Sequence, residues 1–406
     1  MKTILFLENG TYGGGSFESM LQLVTHLDRS RFTPVVVFVN KTVFYDRLKE
    51  KDILVYVIED RVYSQTDKSA WQHGYIRLLT SIKQLLPSCT LIIERLLHRS
   101  AIHALQQIIH THGVDLIHCN NQSARDLYGV IVASALGIPC ISHLRSARVT
   151  TLSAVAVRFL NYHVTLFIAN SEFTKKWWSE LGIEQEKITV VYNAAPDTPT
   201  AVRHVRQELG IDPSVTYVVG CVGNLAEGKG QEFLIRTWTQ IVGQEPSILL
   251  LLVGDGPRRA SLESLVKTLG ITKSVRFAGY DSRAKELIAG LDLLVLPSQT
   301  ETFGRTLLEA MVAGVPVIAS RVGGIPEIVQ HEHTGLLVEY GNKSSLTQAM
   351  LRVLHNPTLS NRLCVEAKKM CEEQFQLDTH IQILLNLYDE ILGTRRSSIS
   401  SPVHSK

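Results

Sequence analysis

Pro297-Ser-Gln-Thr-Glu301-Thr-Phe-Gly304-Arg-Thr306-Leu-Leu-Glu309-Ala-Met311 is the stretch on which the reading of this chain turns. It follows an apolar run, Leu293 to Leu296, of the kind that forms a buried strand. Glu301 falls in a strand-to-helix turn, and Glu309 falls eight positions later on the helix that follows (309 − 301 = 8). Between them, Thr-Phe-Gly-Arg-Thr exposes backbone N–H groups at a helix start, where a phosphate is welcome. The two flanking carboxylates are placed to accept hydrogen bonds from hydroxyls, on a sugar at one end and a ribose at the other.

The same strand-then-helix alternation extends outward in both directions. In the first half the expected strands are Thr3–Leu7, Val35–Asn40, Ile53–Ile58, Leu116–Asn120, Pro139–Leu144, Leu166–Asn170 and Ile188–Tyr192. In the second they are Tyr217–Gly223, Ile248–Gly254, Val275–Gly279, Leu293–Pro297, Val315–Ala319 and Leu336–Val338. Runs apolar throughout suit parallel strands buried on both faces. Their small or polar ends are where α/β sheets place ligands. Phe17, Met20, Leu21, Val24 and Leu27 make one helical face, with Ser16 placed as its cap. Two prolines in Asn193–Thr200 mark a linker. The expectation is an α/β chain with two doubly wound domains, residues 1–193 and 202–375. A last helix, 376–392, would cross back to the first domain, and a basic, Ser-rich tail, 393–406, would be disordered.

Composition narrows the classes. The 406 residues are 45% apolar and 19% charged, with a formal net charge of +3, which gives no electrostatic case for nucleic-acid binding. None of the six cysteines forms a C-x-x-C pair, so buried free thiols in a reducing, cytoplasmic setting are expected. No secretory signal or membrane span is expected from the apolar runs. Gly13-Gly14-Gly15 stands where a dinucleotide fingerprint would, but Glu18 occupies its last position. Gly223–Lys229 resembles a P-loop, but Gly230 replaces the Ser or Thr that would bind magnesium. What survives is a Gly-flanked Lys229 at a helix start, a local anion site. No Asp-x-Asp occurs, and the histidines lack zinc spacing. The region Tyr75–Leu97 mixes apolar residues with Arg77, Lys83 and Arg95, as either a membrane-lying helix or a core helix with a solvated face would.

Beyond spacing, the opening stretch resembles the E-x7-E motif of retaining glycosyltransferases of the GT-B architecture, family 4 (glycosyl transferases group 1). Val222–Gly230 resembles that family's diphosphate loop, and Leu252–Pro257 its V-G-x-G-P turn. Val275–Gly279 resembles the strand bordering the base, and Gly314–Ser320 and Gly323–Glu327 its later loops. Ile141-Ser-His143 fits its catalytic-region histidine, and Tyr12–Gly15 its acceptor-side glycine loop.

The resemblance implies two Rossmann-like domains facing across a cleft, and transfer of a hexose-type sugar from a nucleoside-diphosphate-sugar without a cofactor or metal. It implies catalytic roles for His143, Lys229 and Glu301. Donor binding would fall to Asn224, Gly279, Phe303, Gly304, Arg305, Thr306, Leu307 and Glu309, and acceptor binding to Gly13, Gly14 and Gly15. Glu301 would touch the sugar and Glu309 the ribose. Asn224 departs from the family's usual arginine; Arg305 either compensates or faces solvent. The acceptor implied is a glycan, as in polysaccharide biosynthesis, a lipid-linked sugar at the inner membrane face, or a small molecule. A sugar-nucleotide epimerase and a non-catalytic nucleotide-sugar binder are the alternatives.

Overall fold

Apolar runs at both ends of the chain pair in parallel to form two separate sheets. The computed structural model describes residues 1–9, 14–39, 44–60, 62, 70–121, 126–147, 152–197 and 205–393. The first sheet holds β1 (Lys2–Glu8), β2 (Phe32–Val39), β3 (Leu54–Ile58), β4 (Leu116–Cys119), β5 (Cys140–Leu144), β6 (Leu166–Ala169) and β7 (Ile188–Val190), in the order β3-β2-β1-β4-β5-β6-β7. The second holds β8 (Tyr217–Val222), β9 (Ile248–Val253), β10 (Val275–Gly279), β11 (Leu293–Leu296), β12 (Val317–Ser320) and β13 (Leu336–Val338), in the order β10-β9-β8-β11-β12-β13. Each order reverses once, between β1 and β4 and between β8 and β11. At such a reversal the connections diverge to opposite faces and leave a crevice beyond the strand ends. The chain is thus an α/β protein of GT-B architecture, with two Rossmann-like units.

β9 (Ile248–Val253) is buried at every position, as a central strand covered on both faces must be. Helices supply the covers through one apolar stripe each. In Gly15–His26 the stripe is Phe17, Met20, Leu21 and Val24, packed beneath β1 and β2. Ser16 does not cap that helix: Gly14 is the cap residue, extended and without a side-chain hydrogen bond, and Ser16 falls inside the first turn. Tyr75–Leu97 is not one helix either. It divides into Ala70–Leu85 and Thr90–Leu97, because Pro87 cannot continue a helix and instead opens a short 3₁₀ turn.

Helix Pro357–Gln374 packs on the second sheet through Leu363, Ala367 and Met370. Three residues later, Leu377–Ile391 packs on the first sheet, where Ile381, Leu384 and Tyr388 join Ile4 and Phe6. The Tyr388 hydroxyl meets His118 Nδ1 at 2.7 Å. The chain therefore crosses between the units twice, at 191–195 and at 374–377, and the first crossing is tied to the second by the Ala195 N–H on the Phe375 carbonyl at 2.8 Å. Residues 198–204 and 394–406, which hold part of the expected linker and the expected tail, lie outside the described residues. Among the described residues no helix is long and apolar enough to cross a membrane.

Candidate active site

The second sheet's reversal places the ends of β8 and β11 side by side, so the loop after each strand meets the other. A methyl group on Gly230 would stand 1.7 Å from the Pro297 carbonyl oxygen, and Gly230 adopts φ +76°, so only glycine lets this loop approach. That approach delivers Lys229 to Glu301, Nζ to Oε2, at 2.7 Å, with side chains 29% and 12% exposed. The turn carrying Glu301 is wedged from the far side. Gly324 donates to the Glu301 carbonyl at 3.1 Å, and a methyl group there would stand 2.1 Å from the Thr302 carbonyl. The helix Arg305–Val312 then begins at Gly304, again with no side chain covering its first N–H groups. An uncapped helix start beside an ammonium is an anion site.

Glu309 lies on that helix, one side of it open to the cleft. It is buried, yet no described protein group donates a hydrogen bond to its carboxylate. Burial pushes its carboxyl above the ordinary value, against the pull of Arg305 and Lys285. Such an acceptor is completed by hydroxyl donors from a ligand. The buried Asn224 side-chain oxygen also lacks a partner.

Across the cleft stands the start of Gly15–His26. Glu18 in its first turn is neutralised by Arg47, at 2.5 and 3.3 Å, with Lys285 at 3.9 Å. Burial favours the protonated acid, but the Arg47 contacts outweigh it and hold the Glu18 carboxyl below its usual value. Arg305 does not face solvent. Its Nη1 reaches Ser19 Oγ at 2.8 Å and Gln22 Oε1 at 3.0 Å, so a residue of the second unit is planted on the first. Arg145, just past the end of β5, donates to Asn193 Oδ1 at 2.7 Å and to the Asn120 carbonyl at 3.0 Å.

Further hydrogen bonds clamp the units together. Glu327 accepts from the N–H groups of Glu172 and Phe173, both at 2.8 Å, capping a first-unit helix with a second-unit carboxylate. Ser171 Oγ donates to the Thr302 carbonyl at 2.7 Å, and Thr302 Oγ1 donates to the Arg145 carbonyl at 3.0 Å. The turn bearing Glu301 is thereby held by both units.

The cleft between the units has a volume of about 1660 Å³. A drug-sized ligand occupies pockets of about 300–1,000 Å³, so there is room for two reactants. Its walls bring together Gly14, Gly15, Asn224, Lys229, Glu301, Phe303, Gly304, Arg305, Thr306 and Glu309. Three expected residues do not line it. Leu307 is fully buried in the second unit's core. Gly279 turns with φ +78° and presents the next residue, Tyr280, instead. His143 is fully buried on β5, behind Arg145, whose Nη2 lies 3.1 Å from its Nδ1. Burial, then Arg145 and His118, drives His143 well below the usual histidine range, so it is neutral there. Gly13 lies outside the described residues. Arg145, Arg47 and Lys285 line the cleft without having been singled out in the sequence, and Glu18, noted there only as breaking a dinucleotide fingerprint, lines it too. Arg145 carried a signal, a charged residue at the end of an apolar strand; Arg47 and Lys285 carried none.

Two family models match the chain: Glycosyltransferase Family 4 over residues 13–197 and Glycosyl transferases group 1 over residues 205–370. The N-acetyl-alpha-D-glucosaminyl L-malate synthase of Bacillus anthracis is 34% identical over 52% of this chain and 56% of its own length. The D-inositol 3-phosphate glycosyltransferase of Corynebacterium jeikeium is 31% identical over 48% of each. The chain thus spans about half the length of these relatives. The crystal structure of Anabaena Alr3699/HepE in complex with UDP superposes with a TM-score of 0.74 at 25% identity, covering 96% of this chain and 100% of that one.

Proposed function

From the premise that the chain belongs to glycosyltransferase family 4, we propose that it moves a hexose-type sugar from a nucleoside-diphosphate-sugar to a small-molecule, glycan or lipid-linked acceptor. Transfer proceeds with retention at the anomeric carbon and without a metal ion. The observation that carries this reading is the buried Glu309 carboxylate, to which no described protein group donates, one helix turn beyond an uncapped helix start in a cleft that Lys229 also lines. The similar Anabaena protein holds UDP, which makes UDP the first donor nucleotide to test.

In this reading Glu309 accepts the ribose hydroxyls, and the diphosphate lies against Gly304–Thr306. The bond from the anomeric carbon to the β-phosphate oxygen breaks, and the acceptor oxygen bonds to that carbon. The acceptor's proton passes to the departing phosphate. Negative charge grows on that phosphate as the sugar becomes oxocarbenium-like, and Lys229 and the helix-start amides stabilise it. Glu301, tied to Lys229, positions the sugar rather than attacking it, which favours same-face attack over a covalent intermediate. His143 acts from behind, by holding Arg145.

The names of the two relatives carry small anionic acceptors, malate and inositol phosphate, which supports a small-molecule acceptor. A lipid-linked acceptor at the cytoplasmic membrane face draws support from Leu85, Leu86 and Ile92, exposed beside Arg95 and Arg99. A thermal-shift screen of UDP-, GDP-, ADP- and TDP-sugars in EDTA tests the reading. A ligand at about 100 times its Kd raises stability by about 2.7 kcal/mol. The expected hit is a UDP-sugar that is turned over once an acceptor is added; no shift with any nucleotide, or one only with added metal, contradicts the reading.

A further inference from the structure

We propose that the first-unit wall of the cleft carries a second anion site, formed by Arg145 and Arg305 at the start of helix Gly15–His26, which takes a carboxylate or phosphate borne by the acceptor. The inference deepens the transferase reading and rests on it. Arg305 is 8% exposed, and its Nε and Nη2 are buried with no hydrogen-bond partner among the described residues. Its remaining nitrogen is satisfied by neutral oxygens, those of Ser19 and Gln22. Arg145 donates only to neutral groups as well: Asn120, Asn193 and His143.

The two guanidiniums belong to one hydrogen-bonded chain. Arg145 donates to Asn193 Oδ1, Ser19 Oγ donates to the same oxygen at 3.0 Å, and Arg305 donates to Ser19. Among the described residues no carboxylate is hydrogen-bonded to either guanidinium, and the nearest link, Glu8, reaches Arg145 only through Asn120. Glu18, the nearest acid on the helix, is engaged by Arg47, and Glu8 is engaged by Asn120 and Asn121. Burial pulls Arg145 down to about 9 and lowers Arg305 as well, the cost of burying cations whose hydrogen-bond partners are all neutral. It outweighs Glu8, which acts on Arg145, and Glu309 and Glu18, which act on Arg305, only through space. An entering anion removes that cost.

The setting favours an anion in two further ways. The helix start at Gly14 has no side-chain cap, and a methyl group on Gly15 would stand 2.9 Å from Arg305 Cδ, so the open N–H groups and the guanidinium are neighbours. Ser19 and Gln22 hold Arg305 on the acceptor wall, whereas Lys229 is held at Glu301 on the donor wall. Arg305 arrives from the second unit, so the site is complete only with the units together. A neutral acceptor would leave both cations unpaired, which makes the pair a discriminator among acceptors.

The test titrates inorganic phosphate and L-malate into UDP-saturated enzyme at constant ionic strength, with chloride as the blank. Both anions are expected to bind the UDP complex, at least tenfold more weakly in Arg305→Gln and Arg145→Gln, with UDP affinity falling by a smaller factor. Arg305→Lys, which keeps the charge but loses the fork, is expected to fall between. Three results overturn the proposal: neither anion binds although UDP does, either anion competes with UDP, or the variants bind both as the wild type does. Failure of UDP to bind at all removes the transferase reading first, and this inference with it.

Discussion

The two walls of the cleft are built alike and charged differently. Each presents a helix start led by glycine and uncapped by any side chain, Gly304 before Arg305–Val312 and Gly14 before Gly15–His26. On the donor wall the cation, Lys229, already has a carboxylate, Glu301. On the acceptor wall Arg145 and Arg305 have only neutral partners. The lesson is that equal geometry leaves unequal electrostatics. A ligand on the donor wall competes with an internal ion pair, so Lys229 is poised to strengthen its contact as charge develops in the reaction. A ligand on the acceptor wall meets guanidiniums to which no described carboxylate is hydrogen-bonded, so in this reading that wall selects in the ground state.

The contrast predicts different kinetic signatures. Lys229→Ala should lower kcat by on the order of 10²–10³, as loss of one group stabilising a developing oxyanion does, with a smaller change in donor KM. Steady-state kinetics with a UDP-sugar measures it; an unchanged kcat would place the leaving group elsewhere. The clamp between the walls is worth less. Glu327→Ala leaves the N–H groups of Glu172 and Phe173 without their acceptor, although Ser171 still caps Thr174, and frees Tyr192, whose hydroxyl donates to Glu327 at 3.0 Å. Loss of such helix-start acceptors costs about 1 kcal/mol, or about 1 °C in Tm by calorimetry for a chain of this length. No change would mean the units are held together by other contacts.

Two buried histidine groups respond oppositely to pH. Behind the acceptor wall, burial first and Arg145 second depress His118 to about 3 and His380 to about 4, with His143 also well below its usual range. The unfolded chain binds protons there first, so this stability is full above about pH 6.5 and declines as pH falls toward 4. Near helix Thr90–Leu97, burial lowers His98, but the hydrogen bonds it donates to Asp60 and Glu94 outweigh it and raise it to about 9. That contribution is full below about pH 6.5 and is lost as pH rises through 9. Tm against pH should fall on both sides, and His98→Gln should flatten only the alkaline side. Loss of the acid limb in that variant would contradict the assignment.

Much of this was legible in the residues. Every expected strand run overlaps an observed strand, because short apolar runs suit a parallel sheet; the edge strands β3 and β10 are nonetheless partly exposed. That Lys229, Glu301 and Glu309 line one cleft was legible too, since the loops after β8 and β11, and the helix that follows the second loop, meet at the sheet reversal. What was not legible depends on packing between units. Nothing local says that Arg305 leaves its own domain for Ser19, or that Lys229 pairs with Glu301. The depth of β5 also hid that His143 sits behind Arg145 instead of beside the ligand.

The central claim is that Glu309 receives a nucleotide's ribose hydroxyls beside the diphosphate turn. Calorimetric titration of UDP and of its 2′,3′-dideoxy analogue into wild type and Glu309→Ala tests it as a closed cycle. The account predicts that losing the hydroxyls weakens wild-type binding at least tenfold and leaves the variant's nearly unchanged. An equal loss in both proteins would show that the ribose lies elsewhere.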